Sequence, residues 1–383
     1  MTKNGQKKRV FVGLSGGVDS AVSAGLLLKA GYDVTGVFIK VWQPDWIECN
    51  WKEERLDAMR VAAHFGIPFV TLDLVKEYKQ DVIDYMIREY SNGRTPNPDV
   101  MCNRYVKFGG FWKWAKEQGA DYVATGHYAR VKGERVRELG IREIEGQNSQ
   151  DVIEYKLLKG VDQNKDQSYF LWTLNQNDLP HILFPVGHLQ KTEVRHMSRK
   201  MGLPNATKKD SQGLCFIGKV DIKEFLSHYI KSKKGNVLNE NGEVVGEHNG
   251  SIFFTKGERH GFTIFKKTPS DAPYYVIDKD IDQNTITVSN KDNGHLPLSE
   301  NRVTISNVNW VSGNIPDFDP NNSNSFPYEV RARYRQELSK VRIVSANISE
   351  TTFEFEKPQD ILSSGQSLVI YKGDECIGGG IIE

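Results

Sequence analysis

Arg9-Val10-Phe11-Val12-Gly13-Leu14 runs without a break into Ser15-Gly16-Gly17-Val18-Asp19-Ser20. The first six residues form a short apolar run that ends at turn formers, the pattern of a buried strand. Val18, Val22, Leu26 and Leu27 then fall at helical spacing, so a helix is expected over Val18 to Ala30. Between strand and helix, the N–H groups of Gly16, Gly17 and Val18 can converge on an anion at the helix N-terminus, where the helix dipole favours negative charge. Ser15 and Ser20 can add hydroxyl donors. The lysine and terminal GK[ST] of a Walker A loop are missing, so a pyrophosphate grip fits better than a γ-phosphate cradle. Gly13, Leu14, Ser15, Gly16, Gly17, Val18, Asp19 and Ser20 are therefore the candidate nucleotide residues. The bland alternative is a Gly-rich turn with Ser or Asp as helix cap.

Working outward, Asp33 to Ile39 is extended, Glu53 to Phe65 helical, Pro68 to Leu72 extended, and Val75 to Glu89 and Phe111 to Gln118 helical before a strand at Tyr122 to Ala124. Such alternation implies an α/β domain with a parallel sheet covered on both faces, and ligands bind beyond the carboxyl ends of its strands. Two further strand ends border that crevice, Phe38-Ile39-Lys40 and Thr125-Gly126-His127. Ile39 and Gly126 are the expected adenine contacts. His127 is assigned to phosphate or nucleic acid, against the plainer reading of a packed or surface histidine. A long hairpin is expected over Arg130 to Leu158, with Asn148 to Gln150 at its tip. After Lys208 the pattern changes to Gly-rich short segments (Gly242 to Gly261) and then strands at Tyr274 to Val288, Arg302 to Val311, Tyr328 to Tyr334, Thr352 to Phe355 and Ser367 to Tyr371. These imply a small middle module and a C-terminal β-barrel. The expected boundaries are 1–211, 212–295 and 296–383.

With 383 residues, 38% hydrophobic and 26% charged, the chain can build two or three ordinary cores. Its net charge of +1 conceals basic clusters at Lys7 to Arg9, Lys231 to Lys234 and Arg331 to Arg335, compatible with a nucleic-acid face. No apolar run reaches the ~20 residues of a spanning helix, and Met1 to Arg9 has no signal-peptide core, so a cytoplasmic protein is expected. The four cysteines are too sparse for a disulfide scaffold and lack CxxC spacing, so no protein-bound metal is expected. A special cysteine here is reactive rather than structural.

Two cysteines have a rich context. Arg94-Thr95-Pro96-Asn97-Pro98-Asp99-Val100-Met101-Cys102 puts a carboxylate three residues before a thiol, on a Pro-rich loop leading to a helix. A free thiol with pKa of roughly 8.5 is mostly protonated at neutral pH, so a helix N-terminus or a neighbouring base or cation must activate it. Lys208-Lys209-Asp210-Ser211-Gln212-Gly213-Leu214-Cys215-Phe216-Ile217-Gly218 places two lysines upstream of the second thiol, where they could stabilise a thiolate or persulfide. Cys49 and Cys376 have no such context and are read as structural.

Ser15 to Ser20 matches the PP-loop of N-type ATP pyrophosphatases. With the Asn97-to-Cys102 loop and the Cys215-to-Gly218 loop in that order, the chain resembles the bacterial and organellar tRNA-specific 2-thiouridylases. Ala124 to Arg130, Asn164 to Leu171, Phe184 to Leu189, Gly246 to Gly261 and Arg333 to Gln336 resemble family segments too. The resemblance implies that ATP, with Mg²⁺, adenylates the C2 oxygen of a wobble uridine, releasing pyrophosphate and later AMP. It implies that a cysteine desulfurase or sulfur-relay protein loads Cys215 as a persulfide, that Cys102 completes transfer, and that a cellular thiol reductant resets the pair. Asp99 becomes the general acid/base, with Asn97 and Pro98 shaping the base pocket. His127, Lys165, Asp166, Gln167, Arg333, Tyr334 and Gln366 become tRNA contacts, to a uridine lifted from its stack.

A monomer and a mobile Cys215 loop are expected. The hairpin is longer than the family pattern, and Glu258 stands where glutamine is usual, expected to pair with Arg259 or Lys256. Two other classes remain open: a PP-loop ligase or amidotransferase acting on another acceptor, and a non-catalytic tRNA-binding protein.

Overall fold

The computed structural model describes residues 7–46, 51–136, 152–210, 213, 215–218, 220–268, 272–290, 301–322, 325–359 and 362–383. Cys49 and the hairpin tip at 148–150 lie outside these.

The opening stretch forms strand β1 (Arg9–Gly13) and, after the glycine loop, helix α1 (Val18–Lys29). β2 (Asp33–Lys40) and β3 (Phe69–Asp73) lie on one side of β1, and β4 (Tyr122–Ala124) on the other. A short strand Ile182–Leu183 (β7) follows β4, so the parallel order is β3-β2-β1-β4-β7. Side chains alternate across β1. Val10 and Val12 pack with α1 and helix α2 (Trp51–Phe65), while Phe11 faces the opposite core with Val37 and Phe111. Strand order reverses between β1 and β4, and this topological switch point is where such sheets open a crevice at the strand carboxyl ends. The glycine loop leaves β1 there, and Thr125-Gly126-His127 leaves β4 beside it.

The structure departs from expectation at the first cysteine. Pro98–Met101 is an α-helical turn capped by Asn97, whose side-chain oxygen accepts from the Val100 N–H at 3.4 Å, and Cys102–Gly110 continues it as π-helix into helix Phe111–Glu117. Cys102 therefore sits on a helix, not a loop. Pro98 at the first helical position fits because its absent N–H would have no partner there.

Between β4 and β7, β5 (Ala129–Val136) and β6 (Val152–Lys159) form the expected hairpin. The middle module is a five-stranded sheet ordered β10-β9-β8-β12-β11, from β8 (Gly235–Leu238), β9 (Val244–His248), β10 (Phe262–Ile264), β11 (Tyr275–Asp280) and β12 (Thr285–Ser289). Six more strands close into an antiparallel barrel: β13 (Arg302–Trp310), β14 (Tyr328–Arg331), β15 (Ser339–Ala346), β16 (Glu350–Phe355), β17 (Ser367–Lys372) and β18 (Glu375–Ile382). Its ring order is β13-β16-β15-β14-β17-β18, and β18 pairs back to β13. Closure removes the free edges of a sheet. β18 also pairs with β6, Glu375 opposite Leu158, so the hairpin of the first domain is stitched onto the barrel. One apolar cluster runs from Phe111 and Trp172 through Phe225 of the middle module to Val369 and Tyr371 of the barrel.

Glu258 bonds neither of its expected partners. Its carboxylate accepts from the Thr255 N–H at 3.1 Å and pairs with Lys223 at 2.6 Å, while Lys256 pairs with Asp278. Among the described residues, no helix is long and apolar enough to cross a membrane, and no three His, Cys, Asp or Glu side chains cluster as a metal site.

Candidate active site

The glycine loop is held open by its own serines. Ser20 Oγ donates to the Gly17 carbonyl at 3.1 Å and accepts from the Ser15 N–H at 3.3 Å, and the Gly17 N–H donates to Ser15 Oγ at 3.3 Å. Gly16 has φ +74, and a Cβ there would stand 2.6 Å from the Glu54 carbonyl oxygen, so only glycine fits. Asn205 donates to the Gly16 carbonyl at 2.8 Å, while its own side-chain oxygen is buried without a protein partner. An orphaned polar atom beside an open cradle fits a site built for a polar ligand. Ile39 is buried at the end of β2. Gly126 lies against the loop so closely that a Cβ would fall 2.7 Å from Ser20 N and 2.8 Å from Asp19 C.

The next residue, His127, faces the other half of the site. Its imidazole is only 7% exposed, with Nδ1 at 2.7 Å from Thr125 Oγ1 and Nε2 at 3.5 Å from Lys107 Nζ. Burial, reinforced by the Lys107 charge, holds its pKa well below the ordinary histidine value, so it is neutral at physiological pH. Lys107 reaches in turn towards both thiols.

Cys102 and Cys215 are 113 residues apart in sequence, yet their Sγ atoms are 3.4 Å apart as free thiols. The Cys215 N–H donates to Asp99 Oδ1 at 3.0 Å, its carbonyl accepts from the Tyr78 hydroxyl at 2.7 Å, and the Phe216 carbonyl accepts from Gln43 at 3.3 Å. Phe216 has φ +66, a left-handed conformation that costs a non-glycine residue about 1–2 kcal/mol.

The two thiols differ electrostatically. The S–H of Cys102 donates to Cys215, and that bond together with the Lys107 ammonium lowers the Cys215 pKa against burial. Complete burial, with the same bond to Cys215, raises that of Cys102. Cys215 is therefore the more acidic of the two thiols, and Cys102 holds its proton more tightly. Burial also lifts Asp99 above its ordinary value, opposed by the Cys215 N–H and Lys107.

The stabilising cation is Lys107, not the upstream pair. Lys208 is engaged by Asp57 at 2.8 Å. Five residues separate Cys102 from Lys107, about 140° apart around an α-helix, but i→i+5 bonding in the π-turn brings such positions onto one face. That winding was not legible in the sequence.

The proposed tRNA residues fall into two groups. Arg333 is exposed, with its guanidinium donating to the Lys256 carbonyl at 3.2 Å, and Tyr334 packs on Phe170 with ring centroids 4.8 Å apart. The others face inward. Asp166 is 3% exposed, its carboxylate accepting from the Gly160 and Ser168 N–H groups and the Ser168 hydroxyl. Gln167 accepts from the Tyr128 N–H at 3.0 Å, and Lys165 pairs with Asp210 at 2.6 Å. Gln366 donates to the Thr95 carbonyl at 2.8 Å, joining the barrel to the stem of the Cys102 helix.

Three family models match end to end: tRNA methyl transferase HUP domain over residues 8–219, tRNA methyl transferase PRC-barrel domain over 223–290, and Aminomethyltransferase beta-barrel domain over 300–382. The tRNA-specific 2-thiouridylase MnmA of Streptococcus mutans is 44% identical over 387 residues, covering 100% of this chain and 97% of the relative. That of Nitrosomonas eutropha is 42% identical over 379 residues, covering 98% of each. This chain belongs to the tRNA-specific 2-thiouridylase family. What the geometry adds to that family assignment is adjacency: consecutive residues Gly126 and His127, with Cα atoms about 3.8 Å apart, touch the PP-loop and the thiol-facing lysine respectively.

Proposed function

We propose that this protein is an ATP-dependent tRNA sulfurtransferase that makes 2-thiouridine at the wobble position. The observation that carries the reading is the thiol pair, in contact at 3.4 Å and linked to the PP-loop through Gly126, His127 and Lys107 in turn. Full-length relatives named for tRNA 2-thiolation support it. The HUP and PRC-barrel model descriptions speak of methyl transfer, but a polarised dithiol favours sulfur chemistry, because methyl transfer needs no such pair.

The wobble uridine enters with its C2 oxygen towards the PP-loop, where ATP, carried with Mg²⁺, transfers AMP to that oxygen and releases pyrophosphate. Asn97 and Pro98 shape the base pocket. A cysteine desulfurase or sulfur-relay protein has by then loaded Cys215 as a persulfide. Its outer sulfur attacks C2, and AMP leaves with the former C2 oxygen. Cys102, giving its proton to Asp99, attacks the Cys215 sulfur. The Cys215–outer sulfur bond breaks, its electron pair stays on the sulfur now at C2, and a Cys102–Cys215 disulfide forms. The two electrons lost by the thiols are those gained by the transferred sulfur, and a cellular thiol reductant restores the pair. Arg333 and Tyr334 are the basic and aromatic groups that would meet the anticodon arm, with Lys165, Asp166, Gln167 and Gln366 supporting them from within and His127 beside the base. The protein is proposed to work as a cytoplasmic monomer.

Analysis of nucleotide products tests the activation step. With substrate tRNA present, ATP should give AMP and pyrophosphate. ADP as the main product would contradict the reading, and absence of tRNA-dependent turnover would favour a non-catalytic binder.

A further inference from the structure

The PP-loop contains no lysine, yet one ammonium is bonded to it. Lys191 opens the helix Lys191–Lys200, and its Nζ lies 2.6 and 2.8 Å from the two carboxylate oxygens of Asp19, the fifth residue of the loop. The side chain is 13% exposed and passes the Tyr128 ring, whose hydroxyl donates to the same Asp19 at 2.8 Å. The other partner of Lys191 is Asp210, at 2.9 Å. Asp210 precedes Cys215 by five residues, in the stem of the sulfur-carrier segment, and it also takes Lys165 and Arg195.

We propose that Lys191, held between Asp19 and Asp210, is the phosphate-binding lysine the loop lacks, and that its exchange onto the triphosphate reports nucleotide occupancy to the Cys215 stem. The inference rests on the reading of the loop as an ATP site. A triphosphate arriving at the N–H groups of Gly16, Gly17 and Val18 brings several negative oxygens to the mouth of α1, next to Asp19. Carboxylate and phosphate can be close there only with cations between them, and the Lys191 ammonium, already bonded to Asp19, is the protein's own cation at that place beside the Mg²⁺ carried by ATP. When the ammonium turns to the phosphates, Asp210 loses one of its three cations. Lys165 and Arg195 then hold Asp210 alone, five residues before Cys215. The orphaned oxygen of Asn205, beside Gly16, marks the same pocket as ready for a ligand.

The test is equilibrium binding to the full-length protein of AMP and of the ATP analogue with a methylene in place of the α,β-bridging oxygen, combined with the rate of iodoacetamide alkylation at Cys215. Lys191→Met should weaken analogue binding on the order of tenfold or more and leave AMP binding nearly unchanged, because AMP carries neither outer phosphate. Lys191→Arg, which keeps the charge, should recover most of the affinity, separating lost charge from misfolding. In the wild-type protein, saturating analogue should change Cys215 alkylation severalfold, and in Lys191→Met that dependence should disappear. Analogue affinity in Lys191→Met equal to wild type, or wild-type alkylation indifferent to the analogue, would overturn the proposal while leaving the ATP site standing. Failure of the wild-type protein to bind the analogue at all would overturn the nucleotide reading with it.

Discussion

Lys107 sits where three charges are decided. It faces the Cys215 sulfur, the Cys102 sulfur and the neutral imidazole of His127, with its ammonium 5.5 Å over the Phe216 ring. Removing that charge raises the free energy of the Cys215 thiolate, so the Cys215 pKa should rise. Lys107→Met should move the midpoint of Cys215 alkylation to higher pH and slow the reaction at neutral pH. An unchanged pH profile would assign the thiolate to another cause. At this scale the sequence was informative about which residues matter and poor about which of them touch. Asp99, Cys102 and Cys215 were found from spacing and resemblance, and they do meet. Lys208 looked the better thiolate partner because it is closer to Cys215 along the chain, but its ammonium is captured by Asp57.

At the scale of elements, the strand-loop-helix unit at Arg9 to Lys29 was readable because buried parallel strands and amphipathic helices leave distinct periodicities. The π-helix at Cys102 was not, since nothing in residue type separates i→i+5 from i→i+4 bonding. β18 was also missed. Glycines at 378–380 lower strand propensity, yet in the barrel they admit neighbours: a Cβ on Gly379 would lie 2.9 Å from the Trp172 ring, and one on Gly380 2.8 Å from the Ser306 carbonyl oxygen. The tip of β4 supplies the sharpest test of element packing. Gly126→Ala would drive a methyl group into the Asp19–Ser20 backbone at the start of α1. ATP affinity should fall on the order of tenfold or more, with circular dichroism close to wild type. Unaltered affinity would mean that the loop can yield without losing its grip.

Across the whole molecule, the barrel holds the stem of the Cys102 helix directly. Gln366 and Ser364 bond Thr95, and Arg94 pairs with Glu383. Gly365, at φ +90, lets the two backbones approach so closely that a Cβ would stand 2.8 Å from Thr95 N. Gly365→Ala should therefore destabilise the protein by at least the ~1–2 kcal/mol of a left-handed alanine, lowering the thermal midpoint, and reduce thiolation beyond any loss of ATP binding. An unchanged midpoint would show that this junction yields without cost. Three domains were foreseen from the change of pattern after Lys208, but this grip was not, because hydrogen bonds to main-chain carbonyls leave no mark on residue type. The central claim is that the PP-loop and the thiol pair form one sulfur-transfer site. Its most direct test is mass spectrometry of the wobble nucleoside after incubating substrate tRNA with the protein, ATP, Mg²⁺ and a persulfide donor. Wild-type protein should replace the C2 oxygen of that uridine with sulfur, and Cys215→Ala should not. Normal thiolation by Cys215→Ala, or no sulfur at that nucleoside with the wild-type protein, would contradict the claim.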